Sequence, residues 1–427
     1  MIEQDNLTLK QKDYAVFLPA ISSFYSGYIG KERFPAGDKN KIIGDRLPKG
    51  LPNMESMNWL NSKESLFPYK YSLYSAGHAN MDLSVTVPKE DMVRNREADT
   101  IMLADSGGFQ IAKGVWPGAW ADPNNEFWMA SRSGDLKILN VLQGSNHTEA
   151  DQWYNTMKKF CSDKYDRPFD GWGMGGQNMC DVHLVLKRLV TLIHEGLLEK
   201  GHHDWMHFLG TSKLEWACLL TDVQRSIRRH HNSNFTISFD CASPFLATAN
   251  GQVYTNLRTE DRGKWSYMME ATADDKKYAH GTDSFRDVVL RDGIHEKFED
   301  SPISSRLTIG DICHYAPGDL NKIGKEGKTS WDSFSYALLM GHNVWQHIRA
   351  VQDANVRYDE GILPGMLVHE TFERVLFRDV VERIFEARDY NKSMQIIDDN
   401  SKFWDSIRGT RGFTGKRIVN SASQFNA

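Results

Sequence analysis

The chain has 427 residues, 40% of them hydrophobic and 25% charged, with a formal net charge of −5. That balance excludes a disordered chain and any global attraction to nucleic acid, so phosphate contacts would need local basic patches. The polar start MIEQDNLTLKQKDY, the lack of a bilayer-length apolar run and the 5 scattered cysteines predict a cytoplasmic protein with no membrane segment and no disulfide framework.

In chain order, AVFLPAISS (15–23) predicts a first buried strand, followed by a Gly-, Pro- and Lys-rich loop to about residue 53. IML (101–103) predicts a strand running into ADSGGFQ (104–110), which places Asp105 at a strand tip. Ser106, Gly107 and Gly108 then let main chain approach a ligand closely, and Phe109 and Gln110 add a ring face and an amide. The same residues also suit a plain surface turn. KILNVLQ (137–143) is a strand ending at Gln143, and an amphipathic helix is expected over 149–161. FDGWGMGGQ (169–177) reads as a glycine-rich strand or strand end. Asp181 can cap a helix whose Val182, Val185, Leu186, Leu189 and Ile193 recur at helical spacing, with Gly201 just past its end. MHFLG (206–210) is a short strand, Ser212 and Glu215 form a capping box for a helix to about residue 231, and FTISFDCASP (235–244) is the next strand. Beyond residue 256 the pattern weakens into a polar segment to about 327, and helices resume over 331–357 and 364–388.

Strands alternating with helices predict repeated βα units and a parallel sheet. Asp105, Gln143, the glycines around Gly175, and Asp240 all fall at strand C-terminal ends, where a (β/α)₈ barrel places its active site. The expected fold class is therefore α/β, a TIM barrel forming one catalytic domain over 1–427, with a small subdomain inserted at 256–330. A doubly wound sheet fits less well, because no phosphate-binding glycine fingerprint follows an early strand. Two carboxylates on separate strand tips can serve as nucleophile and proton shuttle at an anomeric carbon. Taken alone, Asp240 reads first as a cap of the loop after its strand.

ADSGGFQ, NVLQGS (140–145), GWGMGG (171–176), HFLGTSKLE (207–215) and ISFDCASPFLATANGQVYT (237–255), in that order, resemble the tRNA-guanine transglycosylase superfamily, as does GHNVWQHIRAVQDANVR (341–357). The resemblance implies a TIM barrel that exchanges guanine for a 7-deazaguanine base through a covalent glycosyl-enzyme intermediate. It implies Asp240 as the nucleophile and Asp105 as the general acid/base. Phe109, on the Ser106–Gly107 turn, would stack on the base and Leu209, next to Gly210, would cover its other side. Gln143 would bond its polar edge, and Gly173, Gly175 and Gly176 would line the pocket. A second base-recognising aspartate has no clear counterpart, Asp122 being the candidate. Where family members using an aminomethyl base carry a glutamate, this chain has Gln177, which favours an uncharged base such as 7-cyano-7-deazaguanine.

The resemblance implies no cofactor for the chemistry. The family's zinc motif registers here on Asp311, Cys313, Ala316 and His342, with His314 and His280 as outside candidates. Structural zinc usually takes four ligands, mostly thiolates, so less than stoichiometric zinc is expected. This erosion makes the chain look more like the DNA-modifying, partly phage-encoded branch than the tRNA enzymes. DNA is the favoured partner and tRNA the alternative, and a homodimer is compatible with the resemblance. Candidate phosphate contacts are Arg225, Arg228 and Arg229, or the tail carrying Arg408, Arg411, Lys416 and Arg417. Rival readings are a non-catalytic nucleic-acid-binding subunit on the same fold, against which the paired carboxylates speak, and a TIM-barrel glycoside hydrolase.

Overall fold

A computed structural model describes residues 4–29, 46–75, 91–94, 96–105, 137–144, 146–162, 164, 168–179, 181–290, 298–315, 329–370, 374–407 and 409. Its parallel strands are β1 (Val16–Pro19), β2 (Tyr71–Ser75), β3 (Ile101–Asp105), β4 (Leu139–Leu142), β5 (Gly171–Met174), β6 (Trp205–Phe208) and β7 (Thr236–Cys241). Five of them hydrogen-bond in the order β1-β7-β6-β5-β4, while β2 pairs with β3 and touches β1 through a bridge between Ala20 and Leu73. The chain is thus a mixed α/β protein built on a five-stranded parallel sheet.

The strands are short and bury both faces, as parallel strands do. Phe17, Leu142, Met174, Phe208 and Phe239 occupy one face and belong to the main core. Val16, Leu18 and Leu73 occupy the other, with Ala20, Tyr71 and Leu103 packed against them. Helices cover the first face: α1 (His147–Met157), α2 (Val182–His194), α3 (Leu214–His230), α4 (Ser243–Ala249), the long α5 (Ser333–Asp359) and α6 (Phe377–Glu386). Side-chain caps fix several starts. Asn146 accepts the Glu149 N–H at 2.9 Å, Asp181 the Leu184 N–H at 3.2 Å, and Asp332 the Ser335 N–H at 2.8 Å. Asp332 is itself held by a buried ion pair with Arg46 at 2.6 Å.

Three local expectations are corrected. The capping box at Ser212 does not form: Lys213 is the N-cap, and Glu215 instead accepts the Trp265 N–H at 3.1 Å. The side chain is shared between its own backbone N–H and a distant buried donor. The helix expected over 364–388 begins only at Phe377, because Pro364 opens a turn that leads into the antiparallel pair β8 (Val368–Glu370) and β9 (Arg374–Leu376). β2 was not anticipated at all. Within 256–330, an antiparallel hairpin of Gln252–Arg258 with Ser266–Ala271 leads in, and Phe285, Phe298, Ile303 and Ile309 join the main core. Among the described residues no helix is long and apolar enough to cross a membrane.

Candidate active site

In β7 the side chains alternate: Ile237, Phe239 and Cys241 enter the core, so Thr236, Ser238 and Asp240 share the opposite face. The register carries this face across the sheet. Phe239 pairs with Phe208, Phe208 with Met174, and Met174 with Leu142, so the next residues, Asp240, Leu209, Gly175 and Gln143, lie side by side at the strand C-terminal ends. Two ladder bonds continue past the strands, Gly175 N–H to Leu142 O at 2.8 Å and Leu209 N–H to Met174 O at 3.1 Å. On its other side Asp240 pairs with Leu18.

Asp105 closes β3, paired with Ser75 at the end of β2, and its Oδ2 accepts the Ser75 hydroxyl at 3.1 Å. Leu73 and Leu103, two residues earlier, pack on the same face as Val16 and Leu18. Asp105 and Asp240 therefore project from one face at the same end of the parallel strands.

On that face β5 presents Gly171 and Gly173, followed by Gly175, in place of side chains. A Cβ at Gly171 would sit 2.3 Å from the Trp205 carbonyl, and one at Gly175 2.6 Å from Gln143 Nε2. The space that side chains would take on β5 is filled from β4, by Leu139 at Gly171, Val141 at Gly173 and the Gln143 amide at Gly175, and β6 separates this strip from Asp240. Asn178 donates to the Gln143 carbonyl at 3.1 Å, tying this strand end to the turn Gly176–Met179.

The Asp240 side chain is 14% exposed. Both of its hydrogen bonds land on Oδ1, from the Gly210 N–H at 2.9 Å and from His207 Nε2 at 3.2 Å. Gly210 adopts φ +69°, a left-handed conformation that a Cβ disfavours, and this aims its N–H at the carboxylate. Oδ2 has no partner among the described residues. Cys241 points the other way, its Sγ 3.5 Å from His347 Nε2, and burial pushes its thiol up to about 12. His347 is sandwiched between Phe17 and Tyr267, each 4.3 Å away, and burial lowers it to about 3, so this backing layer stays uncharged. Asp240 is thus the nucleophile candidate at this strand end, not the adjacent thiol.

His207, Ser238 and Ser75 were missed in the sequence, although each lies two residues before, or pairs with, a residue that was singled out. Period-two alternation along HFL and SFD could have found the first two. Ser106, Gly107, Phe109 and Asp122 lie outside the described residues, as do the Gln177 side chain and Arg408, Arg411, Lys416 and Arg417.

The zinc-register residues have separate partners. Asp311 accepts the Thr308 N–H and hydroxyl at 2.8 Å, Cys313 Sγ lies 3.5 Å from the Ala273 carbonyl, and His342 Nε2 lies 2.8 Å from the Tyr254 carbonyl. Burial lowers His342 to about 4. Among the described residues no group of three or more His, Cys, Asp or Glu side chains is placed to hold a metal ion.

The Arg225 to Arg229 segment does not face the site. It ends α3 and leads into the start of β7, at the opposite end of the strands from Asp240. Arg225 is paired with Asp13 and Asp359 at 2.7 Å, Arg228 donates to the Phe235 carbonyl, and Arg229 pairs with Glu382. Lys213, at the start of α3, donates to the Gly409 carbonyl at 2.6 Å.

No protein-family model matches the chain, and no curated protein is significantly similar to it.

Proposed function

We propose that the protein is a base-exchanging transglycosylase that replaces guanine in a polynucleotide, DNA in preference to tRNA, with a 7-deazaguanine base such as 7-cyano-7-deazaguanine. The observation that carries this reading is the placement of Asp105 and Asp240 on one face at one end of the parallel strands, Asp240 in a row with Leu209, Gly175 and Gln143. The strand sequence β4-β5-β6-β7-β1-β2-β3, a cyclic order without the reversal of a doubly wound sheet, supports seven of the eight strands of a (β/α)₈ barrel.

In the first half-reaction Asp240 Oδ2 bonds to C1′ as the C1′–N9 bond to guanine breaks. The departing base takes a proton from the Asp105 carboxyl group. In the second, Asp105 removes a proton from N9 of the incoming base, N9 bonds to C1′, and the Oδ2–C1′ bond breaks to restore the Asp240 carboxylate. At the strand ends Gly175 leaves room for the Gln143 amide, which can then face a flat purine-like base. The Gln143 amide offers a donor and an acceptor to the base edge, and Leu209 supplies an apolar contact. The separate partners of Asp311, Cys313 and His342 support the branch with an eroded zinc motif, and with it DNA. Arg225, paired with Asp13 and Asp359 at the far end of the strands, is not placed to contact the polymer at this site.

Gly175→Ala isolates the pocket from the chemistry. The new Cβ would displace the Gln143 amide, the far end of a flexible side chain, so the fold should persist. Affinity for the free base, read by calorimetric titration, should fall about 3- to 10-fold, the worth of one hydrogen bond. Unchanged affinity would remove Gln143 from the pocket.

The function itself is tested by offering 7-cyano-7-deazaguanine with equal amounts of duplex DNA, single-stranded DNA and tRNA, and reading incorporation by mass. Incorporation into DNA is expected. Incorporation confined to tRNA would overturn the DNA preference, and none into any polymer, with no covalent adduct on a denaturing gel, would overturn the transglycosylase reading.

A further inference from the structure

Beneath the Asp240 row lies a buried polar chain that the exchange chemistry above does not use. His207 and Ser238 are register partners on β6 and β7, 1% and 0% exposed, on the same face as Asp240. Ser238 Oγ lies 2.9 Å from Trp205 Nε1 and 2.8 Å from His207 Nδ1, and His207 Nε2 lies 3.2 Å from Asp240 Oδ1. An indole nitrogen can only donate, so Ser238 accepts from Trp205 and is free to donate its own proton to His207 Nδ1. A carboxylate can only accept, so the bond to Asp240 is donated from a proton on His207 Nε2, an arrangement compatible with a Ser238 proton donated to Nδ1.

We infer that His207 is a positioning residue for Asp240: the Trp205–Ser238–His207 chain holds Oδ1, together with the Gly210 N–H, so that Oδ2 alone meets C1′. The inference rests on the proposed role of Asp240 as nucleophile. It adds an asymmetry between the half-reactions. In the glycosyl ester Oδ1 is a neutral carbonyl oxygen, and when the Oδ2–C1′ bond breaks the carboxylate charge returns partly to Oδ1. Donors fixed there stabilise departure of the carboxylate more than they assist its attack. A buried donor left without Asp240, or a carboxylate left without the donor, is costly, so the two side chains specify one another.

The test compares the full-length protein with His207→Leu and His207→Gln. Glutamine places its Nε2 donor where the imidazole Nε2 lies, without a partner for Ser238. Two readouts are used. One is the pair of rates for adduct formation on a guanine oligonucleotide and for adduct breakdown by added base. The other is the titration of Asp240 by carbon-13 carboxyl NMR, with the signal assigned by its absence in Asp240→Asn. In His207→Leu the breakdown rate should fall about 10- to 100-fold and formation less, so that trapped adduct accumulates and KM for the polynucleotide falls together with kcat. The Asp240 titration should move up by about one pH unit, and His207→Gln should restore most of both. Should His207→Leu fail to fold, Ser238→Ala is expected to give shifts of the same sign and smaller size. An unmoved titration, or a Gln variant no better than Leu, overturns the inference. Because the NMR readout needs no exchange, its failure is separable from a failure of the transglycosylase reading, which would instead appear as a wild-type protein forming no adduct.

Discussion

Asp240→Asn is expected to abolish base exchange and covalent trapping while leaving the fold intact. Both donors to this side chain, Gly210 N–H and His207 Nε2, address Oδ1, and an asparagine carbonyl can still accept both, though more weakly than a carboxylate. What changes is the other position, where a nucleophilic oxygen becomes an amide nitrogen that cannot form the glycosyl ester. Exchange should fall below detection, with no adduct on a denaturing gel, and the melting temperature should move by no more than about 2 °C. Near-normal exchange in this variant would show that the nucleophile lies elsewhere, and a large loss of stability would show that the charge on Asp240 supports the fold.

The second large effect is expected at Asp105. Asparagine can still accept the Ser75 hydroxyl, so the strand end is preserved, but it can neither give a proton to departing guanine nor take one from the incoming base. Both half-reactions should slow by about 10² to 10⁴-fold, the usual contribution of positioned proton transfer. A leaving base that needs no proton provides the control. An oligonucleotide carrying 7-methylguanine, which is cationic and departs neutral, should form the adduct with Asp105→Asn at close to the wild-type rate. Equal slowing on both substrates would reduce Asp105 to an electrostatic or structural part of the strand end.

Much of the architecture was legible along the chain because it follows from local rules. Apolar runs such as IML and TISF bounded by polar residues mark buried strands, and Asp105 and Asp240 stand at their ends because a charged side chain terminates such a run. Asp181 caps its helix as its position before VHLVLKRL implies. The glycines at 171, 173 and 175 were visible as a composition. That all three lie on the face that carries Asp240 follows only once β5 is paired on both sides.

What the sequence by itself determined is therefore the alternation of strand and helix and the placing of polar residues at strand ends, since both depend on neighbours a few positions away. The tertiary structure decided the partners. Arg225, read from the sequence as a free cation, is neutralised by Asp13 and Asp359, which lie 212 and 134 positions away, and it faces the opposite end of the sheet from Asp240. Glu215 reached from its own helix start to Trp265, and Pro364 opened a turn where a helix was expected. The row Gln143, Gly175, Leu209, Asp240, and the link from Ser238 through His207 to that aspartate, exist only in the register between strands. Register is set when every strand buries its apolar side chains at once, so it is a property of the whole sheet and is written in no single strand.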